Sequence, residues 1–508
     1  MHLLKKRTCI WVLGALATLI FFMRFLVFQE PPSRDITTYS AIADAMLHGM
    51  RLYADVWDPK PPAIYWTYVL AQQIAGYGAR SLLLLSVVAS TITMAGLIVA
   101  GGRGRCRVSG LMAAATFAVI SGDLFLWGNE PNAEIFMNAA LVWAFVFVSE
   151  IPNRTGRSAL IRAAAAGVLI TVASLYKTVV VVHAVAFGGL LLMHGWRNSA
   201  IKSAIKNTST MAFVAVIPWL CVFAGYALRG TFADFYESVF TYNTYYSGMT
   251  GGMGPNIIRG FTPENLFPRP LWCTAPLLLM GAAGWAALRF RGSYRTMLLL
   301  VYLLASQVAI ALPGQFYVHY YQLLLPPLCI AGAWGFEALA EKLQTPIKIA
   351  LLGAGLMVIL FSFELPLYSL SPESWAAAKY GTDLMEEHET GRLINSILLP
   401  DEDFYQWGTV TALHWSSRRR PVTPYFFLTP LLDGPLKEKA MTRLLQDLEK
   451  QKTELLIIDE RDARVSPGHP LSKWHSGRYR KFALIKNRFV FLCRKGGALD
   501  ERMRTRGM

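Results

Sequence analysis

Four charged side chains stand beside long apolar stretches of the sequence. Asp35 precedes a short helical pattern at 36–48, Lys60 lies in a Lys-Pro-Pro sequence, Glu134 opens an apolar block, and Lys177 is the only cation of a short connection. A carboxylate can accept a proton from a reacting hydroxyl, and a lysine can hold an anionic group. These residues are therefore candidates for acid–base chemistry and anion binding.

Each of these residues also has a structural interpretation. Asp35 would be the N-cap of the helix at 36–48. Glu134 would be an acid favoured by the dipole of its helix, and Lys177 would extend its ammonium to an apolar–aqueous interface. The sequence leaves both interpretations open.

The composition places these residues in a membrane protein. Of the 508 residues, 54% are hydrophobic and only 16% are charged, and the mean hydropathy is +0.36. A soluble chain usually has about a quarter charged residues. The net charge of +16 comes from basic residues that cluster beside the apolar blocks. Because no aromatic-basic platform accompanies them, we predict no nucleic-acid partner.

Eleven apolar blocks have the length of membrane spans, so the sequence predicts about eleven transmembrane helices. The first block, 9–28, has no small-x-small cleavage site, and we interpret it as a retained helix rather than a signal peptide. A carboxylate at the start of a span, such as Glu134, is costly unless it is used or paired. The other blocks lie approximately at 81–101, 109–127, 135–150, 159–175, 178–194, 209–228, 271–288, 296–312, 320–338 and 347–364.

Basic residues mark every second connection between these blocks. The short connections at 128–134 and 313–319 hold no Lys or Arg. The positive-inside rule then places the N-terminus in the cytoplasm. It places two outer loops, 29–80 and 229–270, and the tail after residue 365 on the opposite side. The helix at 36–48 is amphipathic, so we expect it to lie along the membrane surface.

The sequence changes character after residue 365. Apolar runs shrink to strand length in Phe404-Tyr-Gln-Trp, around 454–459 and around 488–493, and 437–451 has helical spacing. We predict a transmembrane domain over 1–365 and a small soluble α/β domain over 366–508. No GxGxxG or GxxxxGK[ST] pattern occurs, and the six cysteines are scattered without a CxxC pair. The sequence therefore predicts no nucleotide-binding loop, no disulfide framework and no metal site.

The first outer loop carries the most specific pattern: Asp35-x-x-x-Tyr39, followed by Ala-x-Ala-Met-Leu-x-Gly49 and Tyr53-x-Asp55-x-Trp57-Asp58-x-Lys60-Pro-Pro. It resembles the first external loop of the GT-C superfamily of lipid-linked-sugar glycosyltransferases. The most similar branch contains protein O-mannosyltransferases and lipid A aminoarabinose transferases. Three further stretches are similar to that branch: Gly128-Asn-Glu130-Pro-Asn-Ala-Glu134, Leu175-Tyr-Lys177-Thr and Pro313-Gly-Gln-Phe-Tyr-Val-His319-Tyr320-Tyr321.

The resemblance implies a polyprenyl-phosphate sugar as donor and no cofactor. It implies that Asp35 is the general base on an acceptor hydroxyl and that Glu134 is a second catalytic carboxylate, with Glu130 as the alternative. The residues implied to bind the donor phosphate or sugar are Lys60, Asp58, Lys177, His319 and Tyr320. Aminoarabinose transferases tend to carry an acid and an Arg where this chain has Ile36 and Thr38, which argues against aminoarabinose as the sugar.

From these observations we predict a membrane glycosyltransferase of the cell inner membrane. It would move a monosaccharide from a polyprenyl-phosphate carrier to a glycan, lipid or protein acceptor on the non-cytoplasmic face. A secondary transporter or flippase is the alternative; it would favour internal repeats and ionisable residues at mid-membrane depth, which the sequence does not show. A non-catalytic membrane scaffold whose tail binds a partner is a second alternative.

Overall fold

The computed structural model describes residues 5–286, 293–343, 345–461 and 468–507. Nine helices among them are long and apolar enough to cross a membrane, and a shorter apolar helix covers Val108–Ile120. Each of the eleven predicted apolar blocks contains a helix. The end of the block predicted at 271–288 lies outside the described residues. The chain is thus a multi-pass membrane protein, as predicted.

Helices form the first part of the chain. In chain order they are α1 (Lys6–Leu26), α2 (Arg34–Leu47), α3 (Ala63–Ala75), α4 (Ala79–Gly101), α5 (Val108–Ile120), α6 (Ala133–Glu150), α7 (Gly156–Ser174), α8 (Val181–Arg197), α9 (Ile201–Leu228), α10 (Phe232–Tyr236), α11 (Tyr242–Gly248), α12 (Met253–Gly260) and α13 (Pro263–Leu266).

The second part adds four strands. Its helices are α14 (Ala275–Ala286), α15 (Tyr294–Ala311), α16 (Leu325–Leu343), α17 (Pro346–Glu364), α18 (Pro372–Tyr380), α19 (Asp383–Ile397), α20 (Ala412–Ser417), α21 (Thr429–Leu432), α22 (Lys437–Gln451), α23 (Pro470–His475) and α24 (Ala498–Thr505). The strands are β1 (Phe404–Trp407), β2 (Leu455–Asp459), β3 (Tyr479–Ile485) and β4 (Phe489–Arg494).

The chain divides into two compact units. The first consists of Met1–Gln29, Gly78–Gly225 and Tyr246–Trp375 and contains most of the apolar helices. Small residues let these helices approach closely. A Cβ added at Gly284 of α14 would lie 2.3 Å from the Cα of Gly335 in α16, so only glycine fits this crossing.

The second unit consists of Glu30–Tyr77, Tyr226–Tyr245 and Ala376–Met508. Its sheet has the order β1-β2-β4-β3, with β1 and β2 parallel and the other neighbours antiparallel. Strands β1, β2 and β4 and helix α22 form where the sequence predicts them, whereas β3 was not predicted. The division of the chain at residue 365 stays a prediction.

The amphipathic helix of the first outer loop forms as α2 and is enclosed by protein. Helix α2 packs against α3 on one side and against α20 on the other. Tyr39 is only 1% exposed, and its ring meets Tyr68 edge-on at 5.5 Å between centroids. The polar side of α2 is buried as well, because Thr37 and Thr38 hydrogen-bond the Thr411 hydroxyl. Helix α2 is thus held by contacts with protein on both its apolar and its polar residues, and its position along the membrane surface stays a prediction.

Candidate active site

Asp35 lies in the first turn of α2, beside Lys60 of the loop that precedes α3. The N-cap of α2 is Ser33, so the interpretation of Asp35 as an N-cap is wrong: the helix begins two residues earlier than predicted, at Arg34. The Asp35 side chain is 40% exposed, and its Oδ1 lies 3.7 Å from Lys60 Nζ. Lys60 Nζ also lies 4.8 Å from the centroid of the Tyr39 ring. The pair joins a proton acceptor to a cation.

Asp58 is a carboxylate of a different kind, because it is buried. Tyr65 donates its phenol O–H to Asp58 Oδ2. Burial raises the pKa of Asp58 above its ordinary value, and this outweighs the opposing effects of the Lys60 ammonium and the Tyr65 hydrogen bond. Asp58 is therefore placed to orient its neighbours rather than to meet an acceptor in solution.

The loop that carries Lys60 is fixed by its aromatic residues. Tyr53 donates its hydroxyl to the Lys60 carbonyl at 2.7 Å. The backbone N–H of Trp57 donates to the Pro424 carbonyl at 3.1 Å, and the Trp57 ring meets Tyr242 edge-on at 5.0 Å. Trp57 is 1% exposed. The aromatic spacing of the first-loop pattern thus serves to hold the loop.

A buried ion network holds the start of α2. Arg34 Nη2 lies 3.2 Å from Glu387 Oε1, and the same oxygen lies 3.0 Å from Arg488 Nη2. Arg488 also makes a double contact with Asp459 at the end of β2. The Arg34 carbonyl accepts the Thr411 hydroxyl at 2.9 Å. Sequence reasoning missed this network, because its members are far apart along the chain.

The first unit contains a second carboxylate–lysine pair. Glu134 lies in the first turn of α6, is 1% exposed and forms an ion pair with Lys177. Lys177 Nζ lies 3.8 Å from the centroid of the Tyr320 ring. Within the part of the chain that the structure describes, no hydrogen bond satisfies Glu134 Oε2. The structure therefore places three of the predicted site residues together.

His319 lies beside this second pair. Its ring meets the Tyr320 ring edge-on at 4.7 Å and stacks on Trp127 at 5.4 Å. The Trp127 carbonyl accepts a hydrogen bond from Gln322, which fastens the turn before α6 to the 3-10 helix Val318–Leu324. Neither Trp127 nor Gln322 was predicted to contribute. Trp127 has a left-handed backbone, with φ of 52°, which a sequence does not reveal.

The predicted site residues thus form two groups, each within its own unit. The second unit joins Asp35, Lys60 and Asp58, and the first joins Glu134, Lys177, Tyr320 and His319. Glu130, the alternative to Glu134, is buried to 4% exposure. Both groups combine carboxylate, ammonium and phenol side chains, which suits the binding of a phosphate and sugar hydroxyls and the transfer of a proton.

Comparison with known proteins agrees with this picture. The sequence model of the dolichyl-phosphate-mannose-protein mannosyltransferase family matches residues 59–221. The structure of ArnT from Cupriavidus metallidurans bound to undecaprenyl phosphate is similar, with a TM-score of 0.61 at 14% identity, over 97% of this chain and 99% of that chain. A comparison with curated protein sequences gives no significant match.

A second solved structure shares the fold. It is the oligosaccharyltransferase AglB from Archaeoglobus fulgidus in complex with an inhibitory peptide and a dolichol-phosphate. Its TM-score is 0.53 at 14% identity, over 89% of this chain and 69% of that chain. Identities this low show the fold. The chain is thus a multi-pass membrane protein of GT-C architecture with a small C-terminal sheet, and the predicted fold class and resemblance are confirmed.

Proposed function

We propose that this chain is a membrane glycosyltransferase that takes a monosaccharide from a polyprenyl-phosphate donor. The acceptor is a hydroxyl of a glycan, lipid or protein. The observation that carries the proposal is the Asp35–Lys60 pair, in which a partly exposed carboxylate stands 3.7 Å from an ammonium. It lies in a loop of GT-C-like sequence, in a chain whose fold matches a protein solved with undecaprenyl phosphate.

The reaction is a single displacement at the anomeric carbon. The acceptor oxygen forms a bond to that carbon while the bond between the carbon and the phosphate oxygen breaks. Asp35 takes the proton of the acceptor hydroxyl, and the electron pair of the broken bond leaves with the polyprenyl phosphate. Attack opposite the leaving group inverts the anomeric configuration.

Lys60 stabilises the leaving phosphate, on which negative charge develops. It stands beside the base, with Nζ 3.7 Å from Asp35 Oδ1. Lys177 is held by Glu134 and by the Tyr320 ring, so its direction is fixed before the donor arrives. Glu134 acts here by orienting Lys177, and His319 and Tyr320 bind donor hydroxyls or phosphate.

The side of the membrane and the sugar class belong to the same proposal. The alternation of basic connections supports a cytoplasmic N-terminus, with both outer loops and the C-terminal sheet on the periplasmic or extracellular side of the cell inner membrane. The transferred group is a hexosyl or pentosyl residue. Ile36 and Thr38 stand where an aminoarabinose transferase tends to carry charges, so aminoarabinose is not the proposed sugar.

The test is transfer of radiolabelled sugar from synthetic polyprenyl-phosphate donors by purified protein in detergent. Asp35→Asn keeps the size of the side chain and removes the proton acceptor, so we expect transfer to fall by about 10² to 10⁴-fold. Asp433→Asn is the matched control in the same unit, because that carboxylate is 72% exposed and forms a surface pair with Lys437. Normal transfer by Asp35→Asn would remove Asp35 from the role of base.

A further inference from the structure

The first unit contains a buried cluster that the proposed reaction does not use. It consists of Asp123, which follows α5, Cys273, which precedes α14, and Glu364, the last residue of α17. One oxygen of each carboxylate and the Cys273 sulfur lie within 4.8 Å of one another, and all three residues are buried. Each of these residue types can ligate a cation.

Glu364 lacks the hydrogen bonds that a buried carboxylate needs. Glu364 is 0% exposed, and among the described residues no nitrogen or hydroxyl donor reaches Oε1 or Oε2, whose polar neighbour is the Asp123 carboxyl. Its neighbour Asp123 accepts the Leu126 backbone N–H at Oδ1. Two carboxylates can share a buried space only when a proton or a cation lies between them, because both are acceptors and both are negative.

Arg24 contributes one positive charge to the same region. Its Nε donates to Ser86 Oγ at 3.0 Å, and its Nη2 donates to the Ser121 carbonyl at 2.8 Å. A Cβ added at Gly122 would lie 1.8 Å from Arg24 Nη1, so glycine makes room for this guanidinium. Two carboxylates against one guanidinium leave one negative charge to balance. With Cys273 as a thiolate, a divalent cation balances the cluster completely.

We propose that Asp123, Cys273 and Glu364 bind a divalent cation of the zinc class. Two carboxylates alone would suit magnesium or calcium as well, but a sulfur ligand within the same distance favours a softer metal. Three protein ligands leave a fourth position of a tetrahedral zinc site for water. Bound there, the cation links the ends of three helical segments that are far apart in the sequence, and it stabilises their packing.

The first test is the metal content of the purified protein, prepared with a tag that contains no histidine, loaded with Zn²⁺ and dialysed. We expect about one zinc per chain in the unaltered protein. Glu364→Gln and Cys273→Ser should each lower the zinc content at least tenfold. Cys329→Ser is the matched control, because Cys329 is also a buried free cysteine but belongs to α16.

The second test replaces zinc by Co²⁺, whose absorption reports a thiolate ligand and tetrahedral geometry. We expect the thiolate-to-cobalt band in the unaltered protein and in Cys329→Ser, and its loss in Cys273→Ser. These readouts require no transferase activity, so they are independent of the proposed function. Absence of zinc from the unaltered protein, or equal zinc in all variants, would overturn the proposal and leave a shared proton between the two carboxylates. Variants that do not elute as a single species are replaced by Asp123→Asn.

Discussion

At the scale of single residues, two acids of the first outer loop lie in different surroundings. Asp35 is 40% exposed and stands next to an ammonium, whereas Asp58 is 4% exposed and bonded to a phenol. A general base must reach the proton that it accepts, so exposure favours Asp35. Burial raises the pKa of Asp58, which suits a residue that fixes the loop. Identical residue types thus take different roles by their environment.

A third acid makes stability depend on pH. Burial, assisted by the charge of Glu454, raises the pKa of Asp403 to about 6 from its ordinary 3.8. The folded state therefore holds this proton more tightly than the unfolded state, and the stability gained at low pH is lost as pH rises from about 4 through 6. Allowing for partial exposure, the loss is about 1–2 kcal/mol.

Asp403→Asn removes this titration, so its unfolding midpoint should approach or exceed that of the unaltered protein above pH 7. At pH 4.5 the midpoint of the variant, relative to that of the unaltered protein, should be lower than it is above pH 7. The measurement is thermal unfolding in detergent at several pH values, expressed as the difference between the two proteins. Asp401→Asn, an exposed neighbour, should show a constant difference. A constant difference for Asp403→Asn as well would contradict the assignment.

At the scale of elements, helix α2 depends on contacts that its own sequence does not announce. Its amphipathic pattern predicted the helix but not its partners: α3 is the next helix in the sequence, whereas α20 belongs to the distant C-terminal segment. The N-cap position was missed by two residues, since Ser33 and Asp35 are both good capping residues. The strand-length runs around 404, 454 and 488 were sufficient for three strands. Strand β3 was not predicted because most of its residues are partly or fully exposed and it includes Arg480 and Lys481, so it contains no continuous buried apolar run.

The ion network at the start of α2 gives a prediction at this scale. Glu387→Ala removes the shared partner of Arg34 and Arg488 and leaves the Arg488 guanidinium, which is 2% exposed, with only Asp459. Because Arg488 keeps its contacts with Asp459, the cost is that of lost hydrogen bonds between charged groups, about 1–3 kcal/mol. We expect a fall in thermal stability, and a loss of transfer because α2 carries Asp35.

The control variant changes Glu389, which lies in α19 together with Glu387. Glu389→Ala removes a carboxylate that is 47% exposed and pairs with Lys486 at the surface. Its effect on stability should stay within about 0.5 kcal/mol. Both variants are compared by thermal unfolding and by the transfer assay. Equal stability of the two variants would show that the network does not support α2.

At the scale of the whole molecule, the charge pattern predicts an orientation that can be measured. Single cysteines are introduced at Asp433, in the second unit, and at Lys202, at the start of α9, with exposed Cys221 replaced by serine. A membrane-impermeant maleimide should label the cysteine at 433 in cells whose outer envelope is permeabilised and whose inner membrane is intact. The cysteine at 202 should react only after the membrane is opened. The reverse pattern would invert the proposed orientation.

The second unit is assembled from three segments that are synthesised at different times. Residues 30–77 emerge first, whereas α20, which covers α2, belongs to the last segment, Ala376–Met508. Helix α2, which bears Asp35, therefore cannot pack against α20 until most of the protein has been translated. A premature stop codon before α20 would spare every residue proposed for the chemistry and still leave α2 without its support.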